Sequence, residues 1–174
     1  PAGDPTLDLD KQRLEQLKNE RSRVAAQFFE KTASEWDAIR THYVEDINVE
    51  KALEKCVLAA KPDSLLDIGT GTGRILMVLA PHVNDAEGID FSHEMLNVAR
   101  SNLDQPSLGH CRVRYGDMNQ LPYQNQSFKF ISIHHVLHFA DQPLQVLKEA
   151  ARVLQDNGQI AIIDFYSHER EEFW

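Results

Sequence analysis

Leu65-Leu66-Asp67-Ile68-Gly69-Thr70-Gly71-Thr72-Gly73-Arg74 is an apolar run that ends in three glycines spaced two apart and then gives way to a helical pattern. A glycine-rich turn between a strand and a helix lets the backbone approach a ligand closely, because glycine has no side chain and accepts unusual dihedral angles. The dinucleotide fingerprint G-x-G-x-x-G is not met, since Arg74 stands where its third glycine belongs and Gly73 comes one position early. Asp67 points the same way. A carboxylate two residues before the first glycine repels a pyrophosphate and attracts a positive amino group.

Outward from this turn, short apolar runs alternate with helical segments. The pattern predicts strands at 64–68, 86–90, 111–115, 128–133 and 159–165, with helices at 73–81, 93–104 and 142–154. This is the signature of an α/β fold, a parallel sheet with crossover helices. Ser92 before His93-Glu94-Met95-Leu96 and Asp141 before Gln142-Pro143-Leu144 each offer a side-chain oxygen to the first turn of a helix. Asp156-Asn157-Gly158 reads as the turn into the last strand. Upstream, a helix from about Asp46 to Ala60 has Ile47, Leu53, Cys56, Val57 and Ala60 as its apolar face, and Lys61-Pro62-Asp63 ends it. From Leu7 to about Thr32 the chain is charged and free of glycine and proline, with Leu14, Leu17, Val24 and Phe28 near a heptad rhythm. One amphipathic helix is expected there, packed either on the body or on the same helix of a second copy.

Composition narrows the function classes. The 174 residues are 42% hydrophobic, enough for one core, and carry 18 basic against 27 acidic residues for a formal charge of −9. Such a chain repels phosphate backbones, so direct nucleic-acid binding by this segment is not expected. No apolar run is long enough to span a bilayer and Pro1-Ala2-Gly3-Asp4-Pro5 does not resemble a signal peptide, which gives the expectation of a cytoplasmic protein without membrane contact. The absence of an initiator Met suggests a fragment. Cys56 and Cys111 lack the spacing of a disulfide framework or a zinc site and are expected to be small buried hydrophobes.

Two further carboxylates give the chemistry. Asp90 ends the second predicted strand, where it can accept hydrogen bonds from two ribose hydroxyls, and Asp117 follows the third in Gly116-Asp117-Met118, where it can accept from an exocyclic adenine amine. Any one of these is ordinarily a solvated loop residue or a helix cap. Three at three successive strand ends describe a nucleoside that bears an amino acid.

At these residues the chain resembles a known family. Asp67-Ile68-Gly69-Thr70-Gly71-Thr72-Gly73, Gly88-Ile89-Asp90-Phe91-Ser92 and Gly116-Asp117-Met118 are similar to the successive cofactor motifs of class I S-adenosylmethionine-dependent methyltransferases, especially the branch of ubiquinone and menaquinone biosynthesis. The resemblance covers roughly residues 28–165. It implies methyl transfer from S-adenosylmethionine to a small-molecule acceptor, with S-adenosylhomocysteine as product. It implies that Asp67 and the turn Gly69, Thr70, Gly71 and Gly73 carry the methionine moiety, and Asp90 the ribose. Phe91, Met95, Asp117 and Met118 would then surround the adenine, and His134 would line the pocket near the methyl group. It also implies a division into an N-terminal arm and lid, 1–44, with Trp36 and Tyr43 in the lid, and a cofactor-binding domain, 45–174. The resemblance implies a Rossmann-like, doubly wound parallel sheet; seven strands are expected of the family and five are found, in the order 3-2-1-4-5. Strand 159–165 is thereby left as an apolar edge, expected to pair with another chain or to have lost its partner. A homodimer through helix 7–32 or through this strand is one assembly this leaves open.

A narrower resemblance leads to a second function. Asp4-Pro5-Thr6-Leu7, Phe28 to Val44 and His134-His135-Val136-Leu137-His138 are similar to fusions of an ArsR-type winged helix with a methyltransferase-like domain. That implies a regulatory alternative in which the pocket senses S-adenosylmethionine or S-adenosylhomocysteine and signals through helix 7–32. A plain oligomerisation module is disfavoured by the intact motifs. His134, His135 and His138 invite a metal reading, but no third ligand supports it, and they are expected to line a pocket at a strand end. Two scattered cysteines argue against arsenite as the acceptor. If a proton must leave the acceptor, His134 or His138 is the candidate catalytic base, with Asp164 as a further candidate.

Overall fold

In the computed structural model, residues 46–164 are described, and they begin with α1 (Asp46–Ala60), which leads into β1 (Ser64–Ile68). There follow α2 (Arg74–Leu79), β2 (Asp85–Asp90), α3 (His93–Leu103), β3 (Cys111–Tyr115), β4 (Phe128–His134), α4 (Pro143–Val153) and β5 (Leu154–Ile163). The strands form one parallel sheet in the order β3-β2-β1-β4-β5, the order the family resemblance implies. The chain winds outward from β1 through β2 to β3 and then returns across it to β4. This leaves a crevice at the strand ends where the direction reverses.

Apart from Ser64 and Asp67, β1 is apolar, because both of its faces are covered. Register pairs Leu65 with Phe130 on the face packed by Leu53 and Val57 of α1 and by Leu76 and Leu79 of α2. On the other face Leu66 pairs with Ile131 and Ile68 with Ile133, beneath Val146, Ala150 and Val153 of α4. Parallel strands buried on both sides read as continuous hydrophobic runs, which is why the pattern was clear here.

Three local expectations are corrected. Ser92 caps α3 as expected, its Oγ accepting from the Met95 amide at 3.2 Å, but the cap position of α4 belongs to Gln142, with no side-chain cap bond. Asp141 lies one residue too early, and Pro143 supplies the helix start through its fixed φ. β5 begins at Leu154, not at 159. It advances five residues, Leu154 to Gln159, while β4 advances two, Phe128 to Phe130, so Asp156-Asn157-Gly158 forms an irregularity inside the strand and not a turn before it. Cys56 is exposed, because it lies off the helical stripe set by Leu53 and Val57; Cys111 is half-buried, and burial pushes its thiol up to about 11. The arm 1–44, with helix 7–32, Trp36 and Tyr43, and the expected strand end at Phe165 lie outside the described residues. Among the described residues no helix is long and apolar enough to cross a membrane.

The loop between β3 and β4 is held from outside by α4. Arg152 donates to Leu121 O at 2.9 Å, to Tyr123 O at 2.8 Å and to Asn125 Oδ1 at 3.0 Å, and its guanidinium pairs with Glu149 at 2.7 Å. Glu149 in turn accepts from the Leu121 amide at 2.8 Å. Beneath the loop, the Tyr123 hydroxyl donates to Glu87 at 2.8 Å. Arg152→Ala strips donors from two carbonyls and leaves Glu149 without its cation, and is expected to cost about 2 kcal/mol in chemical denaturation. The Arg152 hydrogen bonds hold the Glu149 carboxyl below its ordinary range. That contribution to stability is present above the ordinary glutamate value and is lost as pH falls through the lowered one. Acid titrations of stability are therefore expected to show a steeper loss in the parent than in Glu149→Gln.

Candidate functional site

The crevice at the strand ends is a cavity of about 230 Å³. Each wall comes from one strand end: Asp67 to Thr72 after β1, Asp90 to Ser92 after β2, Gly116 to Asn119 after β3, and His134 to Val136 with Phe139 after β4. Met95 of α3 closes the side next to Phe91.

The glycine turn is folded under constraint. The Gly69 and Thr70 amides both donate to Ile89 O, at 2.9 and 3.0 Å, and Gly69 adopts φ 71°. A Cβ there would stand 2.5 Å from Cγ2 of Val136, so only glycine lets the segment after β4 lie over the turn. Gly71, at φ 53°, has no atom within 4 Å of an added Cβ; its bare edge faces open space. Gly73 caps α2, and a Cβ there would stand 3.3 Å from that of Ala99, so its place is in helix packing and not in the cavity wall.

The carboxylates expected from the sequence are brought together. Asp90 Oδ2 accepts from the Gly71 amide at 2.8 Å and Oδ1 from the Ser92 amide at 2.9 Å, fixing it between the glycine turn and the start of α3. Burial raises its carboxyl above the usual carboxylate range, with the backbone donors of Ser92 and Gly71 opposing the shift. Asp67 is buried and accepts from Ser132 Oγ at 2.6 Å. Asp117 Oδ1 accepts from the Asn119 amide at 2.8 Å and from Asn119 Nδ2 at 2.9 Å, and the residue borders the cavity. No lysine or arginine is among the lining residues. The field therefore suits a ligand with positive charge and neutral donors and opposes a phosphate.

Two buried oxygens in this wall, Thr70 Oγ1 and Asn119 Oδ1, have no hydrogen-bond partner. Buried polar atoms are nearly always satisfied, and here a ligand with donors would satisfy them. Phe91, half-exposed, and the partly buried Met118 supply apolar surface around them.

The histidines separate. His134 is buried at the end of β4 and lines the cavity, with its ring edge-to-face against His135 at 4.3 Å. His135 also lines it and holds φ 50°, a left-handed conformation that costs a non-glycine residue about 1–3 kcal/mol. His138 is not in the wall. The tight turn Leu137–Phe139 carries it to the end of β5, where Nδ1 lies 2.7 Å from Asp164 Oδ1. Among the described residues no three metal-ligating side chains come together. Sequence reasoning passed over Asn119, Val136 and Phe139 as pocket residues. The Asp-x-Asn spacing could have pointed to Asn119, whereas Val136 and Phe139 carry no signal that separates them from core.

Comparison with known proteins bears on the same region. Residues 66–162 match the family model described as "Methyltransferase domain". The uncharacterized methyltransferase YcgJ of Bacillus subtilis is 30% identical over 105 residues, which is 60% of this chain and 42% of YcgJ. Its crystal structure is similar with a TM-score of 0.65, at 28% identity and covering 69% of this chain and 51% of that one. The demethylmenaquinone methyltransferase of Listeria welshimeri is 29% identical over 141 residues, 78% of this chain and 60% of that protein. A SAM dependent methyltransferase from Aquifex aeolicus is similar with a TM-score of 0.57 at 26% identity, covering 72% of this chain and 76% of that one. The chain thus spans 42% to 60% of the length of these two curated relatives. Since the family match runs from within β1 to the end of β5 and takes in every wall of the cavity, the chain belongs to the methyltransferase domain family, among the class I S-adenosylmethionine-dependent methyltransferases.

Proposed function

We propose that the cavity binds S-adenosylmethionine and that the protein transfers its methyl group to a small-molecule acceptor. The observation that carries this reading is one cavity whose walls together bring three carboxylates and two unsatisfied buried oxygens, Thr70 Oγ1 and Asn119 Oδ1, and no lysine or arginine side chain. The group fits that lining. Asp67 would meet the amino group, Gly69 to Gly71 would give the amino-acid part close access to backbone, and Asp90 would take the ribose hydroxyls. Phe91, Met95 and Met118 would enclose the adenine, with Asp117 for its exocyclic amine.

When bound, S-adenosylmethionine supplies a methyl group activated by its sulfonium centre. The contribution of this chain is alignment and exclusion of water, for which no covalent catalytic residue is needed. The wall after β4, with Val136 and Phe139, is the apolar surface available to an acceptor, and the His134 ring is the nearby group that can take a proton from it. His138, engaged with Asp164, is not placed for that role. A small-molecule acceptor is supported by the Listeria relative, whose name specifies demethylmenaquinone.

Calorimetric titration of S-adenosylhomocysteine tests the site. The parent is expected to bind and Asp90→Ala to lose binding, since removing the carboxylate also releases the Gly71 amide; a parent that takes up neither donor nor product would refute the reading. Thr70→Val keeps the side-chain shape and deletes the orphan hydroxyl, so affinity should fall about 2- to 10-fold, the worth of one neutral hydrogen bond, while the melting temperature stays level or rises. Binding requires Asp90 ionised, so affinity should drop as pH falls through a value above the ordinary carboxylate range. The unliganded fold runs the opposite way: the contribution of Asp90 to stability is present at low pH and is lost as pH rises through that raised value. Calorimetry and thermal melts across the same pH series measure both trends.

A further inference from the structure

The segment that covers the glycine turn is held from the end of β5. Ile163 O accepts from the His135 amide at 2.8 Å. One residue on, Asp164 Oδ2 accepts from the Leu137 amide at 2.8 Å and from the His138 amide at 3.3 Å, while Oδ1 takes the His138 ring at 2.7 Å. Both side chains are mostly sheltered, at 18% exposure for His138 and 16% for Asp164. In such surroundings a hydrogen bond to a carboxylate is stronger than at the surface.

We propose that Asp164 and His138 are positioning residues of the cofactor pocket: neither lines it, and together they fix the segment His135 to Phe139 that forms its wall over the glycine turn. The need for a clasp lies in the segment itself. His135 is held in a left-handed conformation that a non-glycine residue leaves when free to do so. Val136 rests so close to Gly69 that a methyl group between them has no room. Phe139 stays 38% exposed, so burial does little to anchor it. Val136, Leu137 and Ala140 pack against the core beneath α4, and the bonds to Asp164 add the polar restraint that sets where this wall lies; slackening them is expected to move the cover of Gly69 and, through it, the turn that Asp90 braces.

This inference rests on reading the cavity as the S-adenosylmethionine site, so its test uses two readouts in the full chain, one with ligand and one without. S-adenosylhomocysteine is titrated into the parent, His138→Ala, Asp164→Ala and His138→Asn, and amide exchange is followed at Gly69, Gly71 and Val136. Both alanine variants are expected to bind about ten-fold more weakly and to exchange faster at those amides, as loss of a charge-assisted bond implies. His138→Asn, whose side-chain N–H can reach Asp164, should stay within about three-fold of the parent, which a mere loss of packing volume would not allow. Affinity within two-fold of the parent in His138→Ala, or no rescue by His138→Asn, overturns the proposal. Should the parent itself fail to bind, the cavity reading falls, and exchange at Gly69 and Gly71 alone decides the clasp: unchanged rates in both alanine variants refute it.

Discussion

One buried carboxylate joins the parts of the site. Asp90 accepts the Gly71 amide on one oxygen and the Ser92 amide on the other, so the glycine turn after β1 and the first turn of α3 share an anchor at the end of β2. The position is costly for a charge, since burial disfavours the ionised form, and the backbone donors of Ser92, Gly71 and Phe91 offset only part of that. Groups kept charged where solvation is poor belong more often to function than to stability. The glycines, the cap at Ser92 and the parallel register of β1 with β2 are the arrangement that carries this carboxylate to the cavity.

Around that anchor the walls are fastened from behind. Arg152 and Glu149 on α4 tie down the loop that bears Asp117 and Asn119, and Asp164 past β5 ties down the segment that bears His135 and Val136. None of these three fastening residues lines the cavity. Loops positioned by a rigid sheet and held by side chains from outside can vary in what they present without disturbing the core, which is how one fold serves many acceptors.

Much of this was legible in the sequence where one physical cause dominates. β1 and β4 are covered on both faces and read as mostly apolar runs, broken only by Asp67 in the one and by Lys129 and Ser132 before the closing His134 in the other, and Ser92 announces α3 because a hydroxyl before an apolar helical pattern has one common use. Asp67, Asp90 and Asp117 were found by their positions at strand ends, and all three do border the cavity. What stayed hidden depends on choices between near-equal local solutions. Asp141 and Gln142 compete for one cap position, and Pro143 decides between them by geometry. His134, His135 and His138 have the same chemistry, and only the tight turn at Leu137 sends the third away from the pocket. Cys56 differs from its buried neighbour Val57 by one step around a helix.

The irregularity in β5 sets how much regular edge the described sheet presents. Among the described residues β5 has no neighbour on its outer side. The three surplus positions around Asn157 break the ladder after its first pairing, leaving a straight run only from Gln159 to Ile163. Lateral addition of a strand requires a long, flat edge. The kink that blurred the strand's start in the sequence therefore halves the length of β5 along which another strand could align.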